Sequence, residues 1–159
     1  MAHHLDETDI TILNYLQEHG RAQRNTISEI VHLSVPSVSE RMRKLEEKGL
    51  IKNYEAILDS KKFHFDITAF IFVEVDKSDH YNAFVENATD HPEILECHSI
   101  TGDGSHVLKI RTRNTESLEK LLSQSQRGAG VTKTRSNIAL STFKETRRIP
   151  IENNVEVKK

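Results

Sequence analysis

Apolar residues recur at helical spacing between Leu33 and Ile51, and this spacing predicts one amphipathic helix. Ser34 precedes the helix as an N-cap, and Gly49 follows it as the residue that ends the last turn. The apolar positions lie three or four residues apart, and they are Val35, Val38, Met42 and Leu45. We therefore expect this helix to bury one face and to present the other to solvent.

The polar face of the same helix has short hydroxyl side chains near its start and cations further along. A helix that enters the major groove with its first turns and contacts phosphates with its later turns has this distribution. A solvated amphipathic surface helix is the alternative, and Arg41 could instead form an ion pair within its own domain. The candidate DNA-binding residues are Ser34, Pro36, Ser37, Ser39, Glu40, Arg41, Arg43, Lys44 and Lys48.

Two further amphipathic segments precede this helix. The first runs from Leu5 to Gly20 with Asp6 as its predicted N-cap, and the second covers roughly Gln23 to Val31. Only residues 32–34 connect the second segment to the third. Three helices with so tight a turn between the last two predict a helix-turn-helix domain. After it, residues 51–58 alternate in polarity and could form a strand or a wing.

The pattern changes to strand-like runs after residue 66. Four strands are predicted at 67–75, 94–100, 105–113 and 131–143, with helices at 81–88 and 115–126. Their order is that of a ferredoxin-like βαββαβ domain. The predicted fold class is α+β, with an N-terminal (winged) helix-turn-helix domain before the ferredoxin-like domain. The predicted boundaries are 1–58 for the first domain, 59–66 for a linker, 67–150 for the second domain and 151–159 for a polar tail.

Composition adds few constraints to this picture. The 159 residues carry a net charge of −2, but five cations face three acids between Ser34 and Lys52. A locally basic segment is the electrostatic footprint expected of a DNA-binding helix. The single cysteine, Cys97, excludes an intrachain disulfide, and the N-terminal residues lack the features of a signal peptide. The longest apolar run, Ala69 to Val73, is too short to span a membrane, so we expect a cytoplasmic protein.

The residues with reactive side chains do not form a recognisable catalytic or metal site. Glu96-Cys97-His98 contains a thiol and an imidazole, but adjacent residues on a strand point to opposite faces. The nine histidines lack the spacing of zinc ligands, and the turn at 102–104 is too short to be a phosphate-binding loop. We therefore expect no enzymatic activity, no cofactor and no metal.

Several strings in this order resemble the Lrp/AsnC (feast/famine) family of prokaryotic transcription regulators. They are LDETDITILNYLQEHGR from residue 5, LSVPSVSERMRKLEEKGLI from residue 33, ECHSITGD from residue 96, and Gly130-Val131. The resemblance implies a sequence-specific DNA-binding regulator. It also implies a C-terminal domain that binds small effectors, often amino acids, and that builds dimers and higher assemblies.

The resemblance places the effector at the turn between the second and third strands. The candidate effector-binding residues are Thr101, Gly102, Asp103, Gly104 and Ser105. Backbone N–H groups of a glycine turn can hold a carboxylate, and Asp103 could meet an amine. The family commonly continues this turn as Gly-Asp-Tyr-Asp, which this chain does not, so a plain hairpin turn is the alternative. His32 stands where the family usually has glycine, although histidine tolerates the left-handed region better than most residues.

A single reading helix covers only a few base pairs, which predicts a homodimer on a pseudo-palindromic site of double-stranded DNA. One face of the predicted sheet carries apolar residues that no helix covers, and a second copy would cover them. The resemblance extends the assembly to an octamer. The rival hypothesis is a metabolite-sensing or adaptor protein whose helix-turn-helix contacts other proteins.

Overall fold

The computed structural model describes residues 3–102, 104–128, 130–152 and 156–157. The chain forms two compact units, one of Met1–Ile57 together with Glu145–Lys159 and the other of Leu58–Lys144. These limits differ from the predicted ones, which ended the second domain at 150 and left a tail after it. Residues from 145 onward belong to the first unit because several of them bond to its first helix.

The first unit contains the three predicted helices, α1 (Glu7–Glu18), α2 (Arg24–Val31) and α3 (Val35–Glu47). Asp6 caps α1, because its Oδ1 accepts a hydrogen bond of 2.8 Å from the N–H of Asp9. Two short strands, β1 (His3–His4) and β6 (Glu156–Val157), pair antiparallel in this unit. The apolar faces meet in one core that includes Ile10, Ile12, Leu13, Leu16, Ile27, Val38, Met42 and Leu45.

The turn between α2 and α3 depends on a histidine in the left-handed region. His32 has φ = 53° and ends α2. The hydroxyl of Ser28 donates a hydrogen bond of 2.6 Å to the carbonyl of Leu33, and the Leu33 N–H donates to the carbonyl of Ser28 at 3.1 Å. These reciprocal bonds hold the turn, so the helix-turn-helix geometry forms although glycine is absent.

Residues 51–58, for which a strand or wing was predicted, form neither a helix nor a strand. A strand needs a neighbour to share its backbone hydrogen bonds, and none pairs with this segment among the described residues. Ile57 and Leu58 are 87% and 63% exposed at the end of the segment. The predicted linker at 59–66 contains a short 3-10 turn, Ser60–Phe63, that Asp59 caps.

The second unit is the predicted βαββαβ domain. Its elements are β2 (Ile67–Val75), α4 (Tyr81–Asp90), β3 (Ile94–Ser99), β4 (His106–Thr112), α5 (Thr115–Gln126) and β5 (Val131–Ile138). The sheet has the order β3-β4-β2-β5, and every pairing is antiparallel. β5 ends at Ile138 rather than at 143. Its partner β2 begins at Ile67, so few pairing positions are left beyond the Ala69–Ile138 pair.

The two faces of the sheet are different. Residues at alternate positions of β2 and β4 pack in a core with α4 and α5, which includes Ala69, Ile71, Val73, Leu108, Ile110, Phe84 and Leu121. The intervening positions lie on the other face, where Phe70 is 40% exposed. Cys97 packs against the core, whereas His98 bonds to Glu96 at 3.3 Å. Cys97 and His98 therefore do not converge, as predicted, and burial raises the pKa of the Cys97 thiol.

Neither a metal-ligand cluster nor a membrane-spanning helix occurs in the part of the chain that the structure describes. No three of its His, Cys, Asp and Glu side chains lie together as metal ligands would. None of its helices combines the length and the hydropathy that crossing a membrane requires.

Candidate nucleic-acid interface and effector site

The structure exposes most of the predicted DNA-binding residues on the outer face of α3. Ser39 and Arg41 are half-buried, and the exposed ones are Ser34, Pro36, Ser37, Glu40, Arg43, Lys44 and Lys48. Ser34 caps the helix, since its Oγ accepts from the N–H of Ser37 at 3.4 Å and lies 2.8 Å from the Ser37 Oγ. The first turn therefore displays two hydroxyls that bond to each other beside an exposed proline.

Arg41 is held inside its own domain. Its guanidinium bonds to Asp9 and Asp6 at 2.7 Å each, and it thereby joins α3 to the start of α1. The bond to Asp9, and then that to Asp6, raises the pKa of Arg41. Partial burial by itself would raise the pKa of Asp6, but the Asp9 N–H and Arg41 outweigh it and lower that pKa. The alternative for Arg41, an internal ion pair, is the arrangement in the structure.

The cations further along α3 belong to an exposed ladder of ion pairs. Arg43 bonds to both carboxylate oxygens of Glu40, at 2.7 and 2.9 Å, and also to Glu47. Lys44 lies 3.5 Å from Glu40. The bonds from Arg43 lower the pKa of Glu40 to about 2. Exposed pairs of this kind contribute little to stability, so these cations can exchange a carboxylate for a phosphate at low cost.

Sequence reasoning missed the polar start of α2. Gln23, Arg24, Asn25 and Thr26 lie there on the surface, and no side chain caps the helix. In a helix-turn-helix the helix before the reading helix crosses the DNA backbone, so such a helix start can meet a phosphate. The Arg-Asn-Thr string before the apolar Ile27 is the signal that could have indicated this surface.

The second unit contains a cavity of about 670 Å³ beside the turn between β3 and β4. Of the candidate effector-binding residues, Gly102, Gly104 and Ser105 line it. Thr101 is exposed and is not among the lining residues, and Asp103 lies outside the described residues. The lining residues that the prediction did not include are Phe72, Val73, Glu74, Val75, Tyr81, Ser99, Ile100, Lys133 and Arg135.

Ser105 holds the turn against β2. Its N–H donates to the carbonyl of Val73 at 2.9 Å, and its Oγ accepts from the N–H of Val75 at 3.1 Å. The same hydroxyl lies 2.8 Å from Nδ1 of His106. Its hydrogen-bonding capacity is thus used within the sheet. The charged groups of the cavity come instead from Glu74, Lys133 and Arg135 on the two neighbouring strands.

Comparisons with known proteins match both units. The model of the Lrp/AsnC ligand binding domain matches residues 68–149, and a winged helix-turn-helix DNA-binding model matches residues 5–52. The chain belongs to the Lrp/AsnC family. The family resemblance of the sequence is therefore confirmed, and the chain is a DNA-binding transcriptional regulator of this type rather than an adaptor protein.

The similar proteins cover nearly the whole chain. The HTH-type transcriptional regulator FL11 of Pyrococcus horikoshii is 40% identical over 93% of this chain and 97% of its own length. The leucine-responsive regulatory protein of Salmonella typhimurium is 34% identical over 93% and 92%. A transcriptional regulator from Neisseria meningitidis, solved with L-methionine, superposes with a TM-score of 0.87 at 30% identity, over 92% of this chain and 96% of that one.

Proposed function

We propose that the protein regulates transcription as a homodimer, or a multiple of one, that reads DNA with α3 and responds to a small amino acid. The DNA-binding part of the proposal rests on Arg43 and Lys44, two cations of α3 whose ion pairs are exposed. Arg41 of the same helix is instead paired with Asp6 and Asp9 at the start of α1. We expect no catalysis, and we expect the protein to act in the cytoplasm with the DNA that it reads.

Different parts of this surface are expected to have different roles. Pro36 offers an apolar contact to a thymine methyl group, and the hydroxyls of Ser37 and Ser39 can bond to base edges or phosphates. Cations further from the start of α3 contact phosphates, which give affinity and set the register. Arg24 at the start of α2 adds a phosphate contact on the neighbouring helix. Glu40 holds Arg43 and Lys44 in place when DNA is absent.

Replacing Arg43 and Lys44 together by alanine should flatten the salt dependence of DNA binding. Each lost phosphate contact removes about 0.9 from the slope of log K against log salt, so the double variant should lose about 1.8. Binding can be measured by fluorescence anisotropy between about 50 and 300 mM salt, on a duplex selected from a random-sequence library.

Lys120→Ala is the control for the loss of a cation away from α3. Lys120 is an exposed cation on α5 of the other unit, and its removal changes the net charge without changing α3. The control should keep the slope of the unaltered protein. If the double variant also kept that slope, Arg43 and Lys44 would have no place at the interface.

We further propose that the effector occupies the cavity beside the turn between β3 and β4. The structures of two relatives, from Neisseria meningitidis and from M. tuberculosis, were solved as complexes with L-methionine. In this chain Lys133 and Arg135 can meet a carboxylate, and Glu74 can meet an ammonium group. Lining residues from β2, such as Phe72, offer an apolar surface to a side chain.

Calorimetry with each of the twenty amino acids should detect heat from at least one of them. Lys133→Ala should then weaken that ligand about tenfold or more, because a hydrogen bond to a charged group contributes about 1.5–3 kcal/mol. Lys120→Ala should leave the affinity unchanged. Absence of heat from all twenty would support the plain hairpin turn and remove the effector from the proposal.

The dimer is proposed on the sheet face that lies opposite α4 and α5. Phe70 is exposed on it, and Phe72 lies under the guanidinium of Arg135, whose Cζ is 4.8 Å from the ring centroid. A second copy would bury Phe70 against its own sheet. Size-exclusion chromatography with light scattering at micromolar concentration should give at least a dimer, and Phe70→Glu should shift it toward monomer. A monomeric unaltered protein would contradict the proposal.

A further inference from the structure

A glutamine on α1 holds the returning C-terminal segment as a neighbouring strand would. The Oε1 of Gln17 accepts from the N–H of Ile149 at 2.8 Å, and the Nε2 of Gln17 donates to the carbonyl of the same residue at 3.1 Å. One turn earlier, the amide of Asn14 donates to the carbonyl of Ile151 at 3.3 Å. Backbone of the segment is therefore bound by side chains of one helix face.

Charge and apolar contacts complete this docking. Arg148 forms an ion pair of 2.6 Å with Glu18, and Arg147 forms one with Glu55. Ile151 packs against the core of the helix-turn-helix. Residues 147–151 thus combine two ion-paired cations, two residues with bonded backbone and one apolar contact. We call residues 145–152 the return segment.

The return segment and α3 contact opposite ends of α1. Asn14, Gln17 and Glu18 hold the segment near the end of α1. Asp6 and Asp9 hold Arg41 of α3 at its start. Because a helix behaves as a rigid rod over this length, a change in the orientation of α1 reaches α3 through the arginine.

Docking of the return segment also makes the charge of the helix-turn-helix more favourable for DNA binding. Residues 1–57 carry nine acids against seven cations, so the helix-turn-helix is by itself slightly acidic. Arg147 and Arg148 each neutralise one of these acids when the segment docks. Because DNA is a polyanion, pairing Glu18 and Glu55 with arginines reduces the electrostatic repulsion between this unit and DNA.

We propose that the return segment is a positioning element of the DNA-binding unit, and that its docking on α1 keeps α3 in the arrangement that binds DNA. The proposal rests on the proposed DNA-binding function. It assigns Gln17, Glu18 and Arg148 a role in DNA affinity without contact to DNA. Because the return segment belongs to the first unit, the chain passes between the two units twice, once before Leu58 and once after Lys144.

A charge-swap series on the full chain tests this assignment. The variants are Arg148→Glu, Glu18→Arg and the double variant, with Lys120→Glu on α5 as the matched control. Arg148→Glu should speed amide hydrogen exchange in α1 by about two- to fivefold, as expected for loss of an exposed ion pair. Exchange in α5 should not change. The double variant restores the net charge and the attraction, so its exchange in α1 should return to that of the unaltered protein.

DNA binding separates positioning from direct contact. Arg148→Glu should weaken binding at least about twofold at a fixed salt concentration while the salt slope stays the same, and the double variant should recover the loss. A slope reduced by about one or more would mean that Arg148 itself contacts phosphate, and it would overturn the proposal. Unchanged affinity would overturn it as well, whether or not exchange in α1 changes.

A second variant of the full chain makes the test independent of charge. Gln17→Leu removes both hydrogen bonds to the backbone of Ile149 and leaves the net charge as it is. It should speed exchange in α1 and weaken DNA binding with an unchanged salt slope. Gln124→Leu, the same substitution at an exposed position of α5, is the matched control and should change neither.

The outcomes separate this inference from the function on which it rests. Normal DNA affinity in Gln17→Leu would overturn the positioning role, whatever the exchange in α1 shows. If the unaltered protein bound no duplex, the proposed function would fail, and the exchange data alone would decide whether the segment docks.

Discussion

Arg41→Ala should lower the free energy of unfolding of the first unit by about 1–3 kcal/mol. The substitution leaves Asp9, which is only 8% exposed, and the capping residue Asp6 without their shared cation. An acid left unpaired at a largely buried position loses more than a surface pair contributes. Urea unfolding of the full chain, followed by hydrogen exchange in α1 and α3, measures the loss.

Arg43→Ala is the matched control, because Arg43 is an arginine of the same helix whose ion pairs are exposed. It should cost about 0.5 kcal/mol or less. Its effect should instead be a flatter salt slope of DNA binding, whereas Arg41→Ala should leave that slope unchanged. Equal destabilisation by the two substitutions would show that the Asp6–Arg41–Asp9 cluster does not hold the helices together.

The same cluster predicts a pH dependence. The pKa of Asp6 is lowered below its ordinary value of 3.8 in the folded protein, so the unfolded chain binds its proton first as the pH falls. The stability that Asp6 contributes is therefore complete well above pH 3.8 and is lost as the pH falls through the lower, folded pKa. The difference in stability between the unaltered protein and Arg41→Ala should shrink over that interval.

Gly104→Ala should destabilise the second unit by about 2–3 kcal/mol and abolish amino-acid binding at the proposed effector site. Gly104 has φ = 106°, which alanine rarely adopts, and a Cβ there would lie 3.0 Å from the carbonyl oxygen of Val73. That oxygen already accepts the N–H of Ser105 at 2.9 Å, so it cannot move without opening the junction of β2 and β4. Thermal unfolding and calorimetry with the identified amino acid would record both effects.

Gly102→Ala provides the comparison. Gly102 also has a positive φ, 98°, but a Cβ there would meet nothing within 4 Å. Its substitution should therefore cost only the conformational strain, and clearly less than that of Gly104. If Gly102→Ala lost as much stability as Gly104→Ala, backbone strain rather than the close approach to Val73 would explain the effect of both substitutions.

Local pattern was sufficient for most elements of the fold. The spacing of Val38, Met42 and Leu45, with Ser34 before them and Gly49 after, predicted α3, because periodicity and capping depend on residues within a few positions of each other. The β-branched and aromatic residues of 67–75 predicted β2 in the same local way, and the order of elements predicted the βαββαβ unit. The strings that resemble Lrp/AsnC proteins were sufficient for the family.

Tertiary structure decided the features that depend on partners distant in the chain. The sequence pattern could not tell whether Arg41 pairs with a DNA phosphate or with a carboxylate of its own domain, since Asp6 and Asp9 come near it only when α1 and α3 pack. Residues 51–58 alternate like a strand, but no neighbour in the described chain pairs with them. Likewise, Lys133 and Arg135 reach the cavity only through the pairing of β5 with β2.

The C-terminal residues show the division most clearly. Composition predicted a polar tail at 151–159 and placed Ile149 in the second domain. The sequence gives no local signal that Gln17 binds the backbone of Ile149. Periodicity is a property of neighbours along the chain and determines which helices and strands form. Which charges meet, and where a polar segment docks, is determined by the distances that folding creates between residues far apart in sequence.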